Sequence, residues 1–155
     1  MIVLVGIAAL LSPMLFQAVP LPDRPMPPSF SAAEKSRLQR EQKVDNRIRI
    51  YMAASDERQR AVQKAMAERN SEAVSVILRS WIDVLDYSLE DIQTNAGRKS
   101  RSKALRNYEI HLRKAVLSIN DLKTKGTYEQ LEEFEAWLKH AEEVRSRVVA
   151  ILFPS

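Results

Sequence analysis

All seven prolines of this chain lie at positions 13, 20, 22, 25, 27, 28 and 154, so none interrupts the stretch from Ser29 to Phe153. A proline inside a helix removes a backbone hydrogen bond and clashes with the preceding turn. A long run without one, filled with Ala, Leu, Glu, Lys, Arg and Gln, is free to form long helices. Nothing in it favours strands. With 45% hydrophobic residues the chain can also bury a core. The expected fold class is therefore all-α.

Helical periodicity divides the run. Ser31-Ala-Ala-Glu34 reads as a capping box. Residues 32–43 follow it with Leu38 as their only large apolar side chain. From Val44 a buried stripe begins: Val44, Ile48, Tyr51, Ser55, Arg58, Val62 and Ala65, with Met52 and Met66 beside it. A second stripe runs through Val74, Leu78, Trp81, Leu85, Ser88 and Ile92, and Asn95-Ala-Gly97 reads as its C-cap. A third runs through Leu105, Tyr108, Leu112, Ala115, Ile119 and Leu122. After a second capping box at Thr127-Tyr-Glu-Gln130, a fourth stripe takes Leu131, Phe134, Leu138, Ala141, Val148 and Leu152, with Trp137 and Val144 flanking.

The spacing predicts helices over 44–69, 71–95, 102–123 and 128–152, each roughly 33 to 39 Å long at the rise of an α-helix. Matched lengths and short connections predict an antiparallel up-down-up-down four-helix bundle. Residues 31–43 are left without a partner and are expected to project from one end as a polar helical extension. The bundle domain is thus 31–155.

Ahead of it stand two segments of different character. Residues 1–18 carry no charged side chain, and Pro13 breaks an apolar run shorter than a membrane span requires. They read as a signal peptide or a retained N-terminal anchor. Either makes the protein exported, in a periplasmic or extracellular space, or held at the membrane. Residues 19–30 hold five prolines and read as an extended, passive linker.

Several chemistries are excluded. Without cysteine there are no disulfides, thiol nucleophiles, cysteine zinc sites or covalent haem. His111 and His140 are the only histidines, and neither follows a glutamate by three residues as a di-iron bundle requires. His140 reads as a surface salt-bridge residue. A haem between His111 and Met52 or Met66 is the rival cofactor reading, weaker than a boundary histidine packed at the core edge. No catalytic motif is present, so no enzyme and no cofactor is expected. Arg58, on a buried stripe, needs a counter-ion, and Asp86 or Glu109 are the expected candidates. The polar segment Ser55–Gln59 is read as a kink or a register-fixing polar layer in preference to a ligand pocket.

Charge is polarised. Arg98, Lys99, Arg101, Lys103, Arg106, Arg113 and Lys114 face only Glu109 in their segment, which makes it +6 in a chain of net +4. The basic tip, Arg98, Lys99, Arg101, Lys103 and Arg106, is the candidate contact surface. Lys43, Arg47 and Arg49 are expected to add charge at the same end. Its expected partner is a protein face or an anionic envelope surface, lipid headgroup or polymer. Nucleic acid is not expected, because no aromatics interleave the basic residues. Self-association through the first bundle helix, as in a coiled coil, is a further possibility. These features together predict a non-enzymatic structural or interaction module of the envelope. A small-ligand carrier using the bundle interior is the alternative.

Overall fold

The computed structural model describes residues 19–95 and 102–155. Residues 1–18, the expected signal or anchor segment, the Ala96 and Gly97 positions of the expected C-cap, and Arg98, Lys99 and Arg101 lie outside the described residues. Among the described residues five helices form: α1 (Ala32–Arg40), α2 (Val44–Ala67), α3 (Ser71–Asn95), α4 (Lys103–Lys125) and α5 (Tyr128–Leu152). The four long ones match the spans read from the periodicity to within two residues. Ser31 caps α1 through both arms of the expected box. At α5 the Gln130 side chain accepts from the Thr127 N–H at 3.0 Å. Between α2 and α3 the chain turns at Arg69, whose φ of 55° places an arginine in the left-handed region.

The direction of each helix follows from its cross-helix bonds. Along α2 and α3, Arg47 meets Asp91, Ser55 meets Trp81 and Arg58 meets Ser80, so the pair is antiparallel. Glu109 and Arg145 join α4 and α5, whose two-residue connection returns the chain on itself. Ser55–His111 and Gln59–Ser118 rise together, so α2 and α4 run parallel. So do α3 and α5, through Ser71–Gln130, Arg79–Glu133 and Asp86–His140. Directions therefore alternate up, down, up, down, as expected.

Neighbours do not follow chain order throughout. The helices pack as a ring in which α2 touches α3 and α4, and α5 touches α3 and α4. α3 and α4 stand on opposite corners, where the hydroxyls of Ser88 and Tyr108 still meet across the centre. This corrects the expectation that consecutive helices are all neighbours. Packed helices lie ~8–10 Å apart, which puts diagonal axes about 14 Å apart by the same spacing. The seven positions between Asn95 and Lys103 have the reach to cross that distance.

The main core is continuous along the bundle, from Val74 and Phe134 near one end to Ile92, Leu105 and Leu152 near the other. Trp81 and Trp137 pack together at its middle, with ring centroids 4.3 Å apart and planes tilted by 49°. On α5 the innermost positions are Phe134, Trp137, Ala141, Val144 and Val148, while Leu131 and Leu138 are only partly buried. Trp137 and Val144 thus lie on the centre of the stripe and not beside it.

The N-terminal elements differ most from expectation. α1 does not project. Leu38 is fully buried, and with Phe30 it covers Tyr51, Ala54, Val84 and Tyr87 in a second, smaller core. Nor are residues 19–30 a passive linker: Leu21 and Met26 pack on that core, and Arg24 bridges Glu90 at 2.6 Å. Prolines hold such a segment extended before it docks, so less chain entropy is lost on docking. The strap and α1 together form a hairpin lying over α2 and α3.

Candidate functional site

The second core has a simple basis in sequence. Arg47, Tyr51, Ala54 and Arg58 share one face of α2, spaced four, three, four. Ser80, Val84, Tyr87 and Asp91 repeat that spacing on α3, in reverse order because the helices are antiparallel. The result is an apolar middle closed at each end by a buried arginine.

At the upper end Arg47 and Asp91 are both wholly buried. Asp91 accepts from Arg47 Nε and Nη2, each at 2.7 Å, in a fork-on-fork pair. It also accepts from the Tyr51 hydroxyl and Asn95 Nδ2. Arg47 Nη1 donates to the carbonyls of Val19 and Glu41, at 2.9 and 3.1 Å, and Nη2 donates to that of Pro20. One guanidinium therefore holds the start of the strap, the end of α1 and the end of α3. Burial, and then the neighbouring Asp91 charge, raises the Tyr51 hydroxyl far above the phenol range, so it remains a donor.

At the lower end Arg58 is paired by Glu34, at 2.6 Å from Nη1. Asp86 and Glu109, the expected partners, serve His140 and Arg145 instead. Arg58 also donates to Ser80 Oγ and the Ser29 carbonyl, and stands over the Phe30 ring. Glu34 thus caps its own helix and neutralises a buried charge on the next. Burial alone would raise its carboxyl, but the bonds from Arg58 and the Ser31 N–H outweigh burial and lower it.

A depressed folded-state value means that the unfolded chain binds the proton first on acidification. Glu34 therefore contributes stability that is present above its ordinary value of 4.5 and lost as pH falls through the lowered one. The Glu34→Gln variant should be less stable than the wild type at pH 7, by roughly 1–3 kcal/mol for a charged hydrogen bond. The gap should narrow at pH 3. Thermal melts of both proteins across that range check it, and a constant gap would refute it.

The polar segment does not break α2: Ser55 and Gln59 bond to neighbouring helices as a polar layer, while Glu57 and Arg58 line an open cleft of about 460 Å³ together with Glu34, Val76 and Ser80. Ser55 Oγ accepts from Trp81 Nε1 at 2.7 Å and bonds His111 Nε2 at 2.8 Å. Burial lowers the His111 pKa, against the raising effect of Asp56 and with a further lowering by Lys114. A neutral ring with its proton on Nδ1, 3.6 Å from Asp56, would leave Nε2 to accept from Ser55. His111 thereby commits the nitrogen that a haem ligand would need. Met52 and Met66 pack against the core. No group of His, Asp and Glu suited to a metal occurs among the described residues.

Of the five predicted contact residues, Lys103 and Arg106 are described, and both are exposed on the first turn of α4. Lys43 and Arg49 are exposed at the start of α2, which is parallel to α4, so these four cations share one end of the bundle. Arg47 does not join them, because it is buried on Asp91. Val19 lies at this same end, its carbonyl tied to Arg47. Among the described residues no helix is long and apolar enough to cross a membrane.

Compared with family models, with curated proteins and with solved structures, the chain matches none.

Proposed function

We propose that this protein is a non-enzymatic module of the cell envelope, whose basic end binds an anionic surface while the N-terminal segment exports or anchors it. The observation that carries this reading is the position of Val19. Its carbonyl is held by Arg47 at the end of the bundle where Lys43, Arg49, Lys103 and Arg106 are exposed. An apolar segment placed just before Val19 and seated in a membrane would turn that end toward the headgroups. Arg98, Lys99 and Arg101 precede α4 in sequence and add to the same charge.

Basic residues near an anionic bilayer contribute about 1 kcal/mol each. Reversing Arg101, Lys103 and Arg106 to Glu should therefore weaken salt-sensitive association with anionic vesicles, or with an acidic partner, by roughly a hundredfold or more. The melting temperature should not move, since Lys103 and Arg106 are exposed. Undiminished association after the reversal would remove the basic end as the contact. Cell fractionation with intact mass tests the location: a shortened soluble form means export, and a full-length membrane form means a tether.

A further inference from the structure

We infer that the contact with the envelope extends along the outer ridge of α4, and that this ridge lies on an anionic lipid surface with Ile110 and Leu117 entering it. The inference rests on the proposed function and names its partner.

The ridge follows from helical spacing. Lys103, Arg106, Ile110, Arg113, Lys114 and Leu117 all lie on the side of α4 opposite its buried stripe of Leu105, Tyr108, Leu112 and Ala115. Two of the large hydrophobic side chains that remain exposed stand here, Ile110 at 37% and Leu117 at 66%. They stand seven positions apart, which is two turns or about 10 Å. Single exposed hydrophobic residues are ordinary on any surface. A pair on one face, with Ile110 between Arg106 and Arg113 and Leu117 one turn beyond Arg113 and Lys114, is a different pattern, the one by which a surface-lying helix binds lipid, with charge at the headgroups and aliphatic tips below them.

The electrostatics agree. Between Lys103 and Leu117 the only acid is Glu109, and it turns toward α5 to accept from Arg145 at 2.9 Å. Asp56 of α2 flanks the ridge at His111. None of the four ridge cations makes a salt bridge to a described residue. On α5 the exposed positions include Glu129, Glu132, Glu135, Glu142 and Glu143, so a lipid surface on α4 leaves much of the acidic surface in solvent. The ridge also begins at the end of the bundle where Val19 is held by Arg47.

The absence of cysteine makes the test direct. A polarity-sensitive dye is placed in the full chain by Leu117→Cys, and in a second preparation by Ala136→Cys. Ala136 is exposed on α5, one turn from both Glu133 and His140, which face α3. With vesicles of phosphatidylglycerol and phosphatidylcholine, the dye at 117 should shift to the blue and the dye at 136 should not. With phosphatidylcholine alone, the shift at 117 should be much smaller. In unlabelled protein, Arg113→Glu with Lys114→Glu should raise the anionic lipid needed for half-maximal binding by about thirtyfold or more, from two charges of the usual worth.

Protein that sediments with anionic vesicles while the dye at 117 stays unchanged overturns the ridge and leaves the basic end standing. No sedimentation with anionic vesicles overturns the lipid ridge, and an acidic protein face then becomes the partner of the basic end. A blue shift without vesicles that grows with protein concentration also overturns it, since a second copy is then the occupant.

Discussion

Replacing Asp91 with alanine should destabilise the protein by about 3–5 kcal/mol, the usual cost of stripping one partner from a buried ion pair. The carboxylate accepts four hydrogen bonds, from Arg47 Nε, Arg47 Nη2, the Tyr51 hydroxyl and Asn95 Nδ2, each at 2.7 Å. Its loss leaves the Arg47 charge buried with carbonyls alone. In a domain of this size such a loss corresponds to a fall in Tm of roughly 10 °C or more.

Because Arg47 also holds Val19, Pro20 and Glu41, the strap should come free before the bundle melts. Limited proteolysis should then cut between Val19 and Ser29 in the variant at concentrations that spare the wild type. Arg47→Met combined with Asp91→Leu should recover part of the lost stability, because an apolar pair removes the desolvation cost along with the attraction. A single variant as stable as the wild type would mean that Arg47 finds water on losing its partner, and that the site is less closed than its burial indicates.

What could be read ahead of the structure, and what could not, follows from which forces leave a local trace. Helix existence and ends were legible because proline, capping boxes and apolar spacing act within a few residues. Arg47 was misread as a surface cation. It sits one position before Ile48 on the main stripe, and a single-stripe reading assigns everything beside the stripe to solvent. α2 in fact buries two faces. The clue was present in the matched four-three-four spacing of Arg47, Tyr51, Ala54 and Arg58 with Ser80, Val84, Tyr87 and Asp91.

The partner of Arg58 was less accessible. Glu34 already had a local explanation as the capping glutamate of α1, and nothing in its own neighbourhood announces a second role. The diagonal placement of α3 and α4 was not legible at all. Periodicity fixes which side of a helix faces inward but leaves open which helix stands next to it. Of the proposed contact surface, the charge was legible in the sequence, and the fold supplied the coincidence of that charge with Val19 and with Ile110 and Leu117.

The centre of the main core should respond as strongly as the clasp, but by a different mechanism. Trp81→Ala is expected to cost about 3–5 kcal/mol, the range for deleting a buried large aromatic. Trp81 is fully buried, packs tilted against Trp137 and donates from Nε1 to Ser55. The truncation opens a cavity and removes a bond from the Ser55–His111 layer. The two tryptophans should separate under the milder change to phenylalanine. Trp81→Phe breaks the bond to Ser55, whereas the buried Trp137 Nε1 has no partner among the described residues. Replacing a donor that has no protein partner loses ring contacts but no hydrogen bond. Trp81→Phe should therefore be the more costly of the two, by roughly 1–2 kcal/mol. Urea unfolding of both variants measures the difference. Equal losses would mean that the Ser55 bond contributes nothing net, or that an ordered water holds the Trp137 indole as firmly as Ser55 holds Trp81.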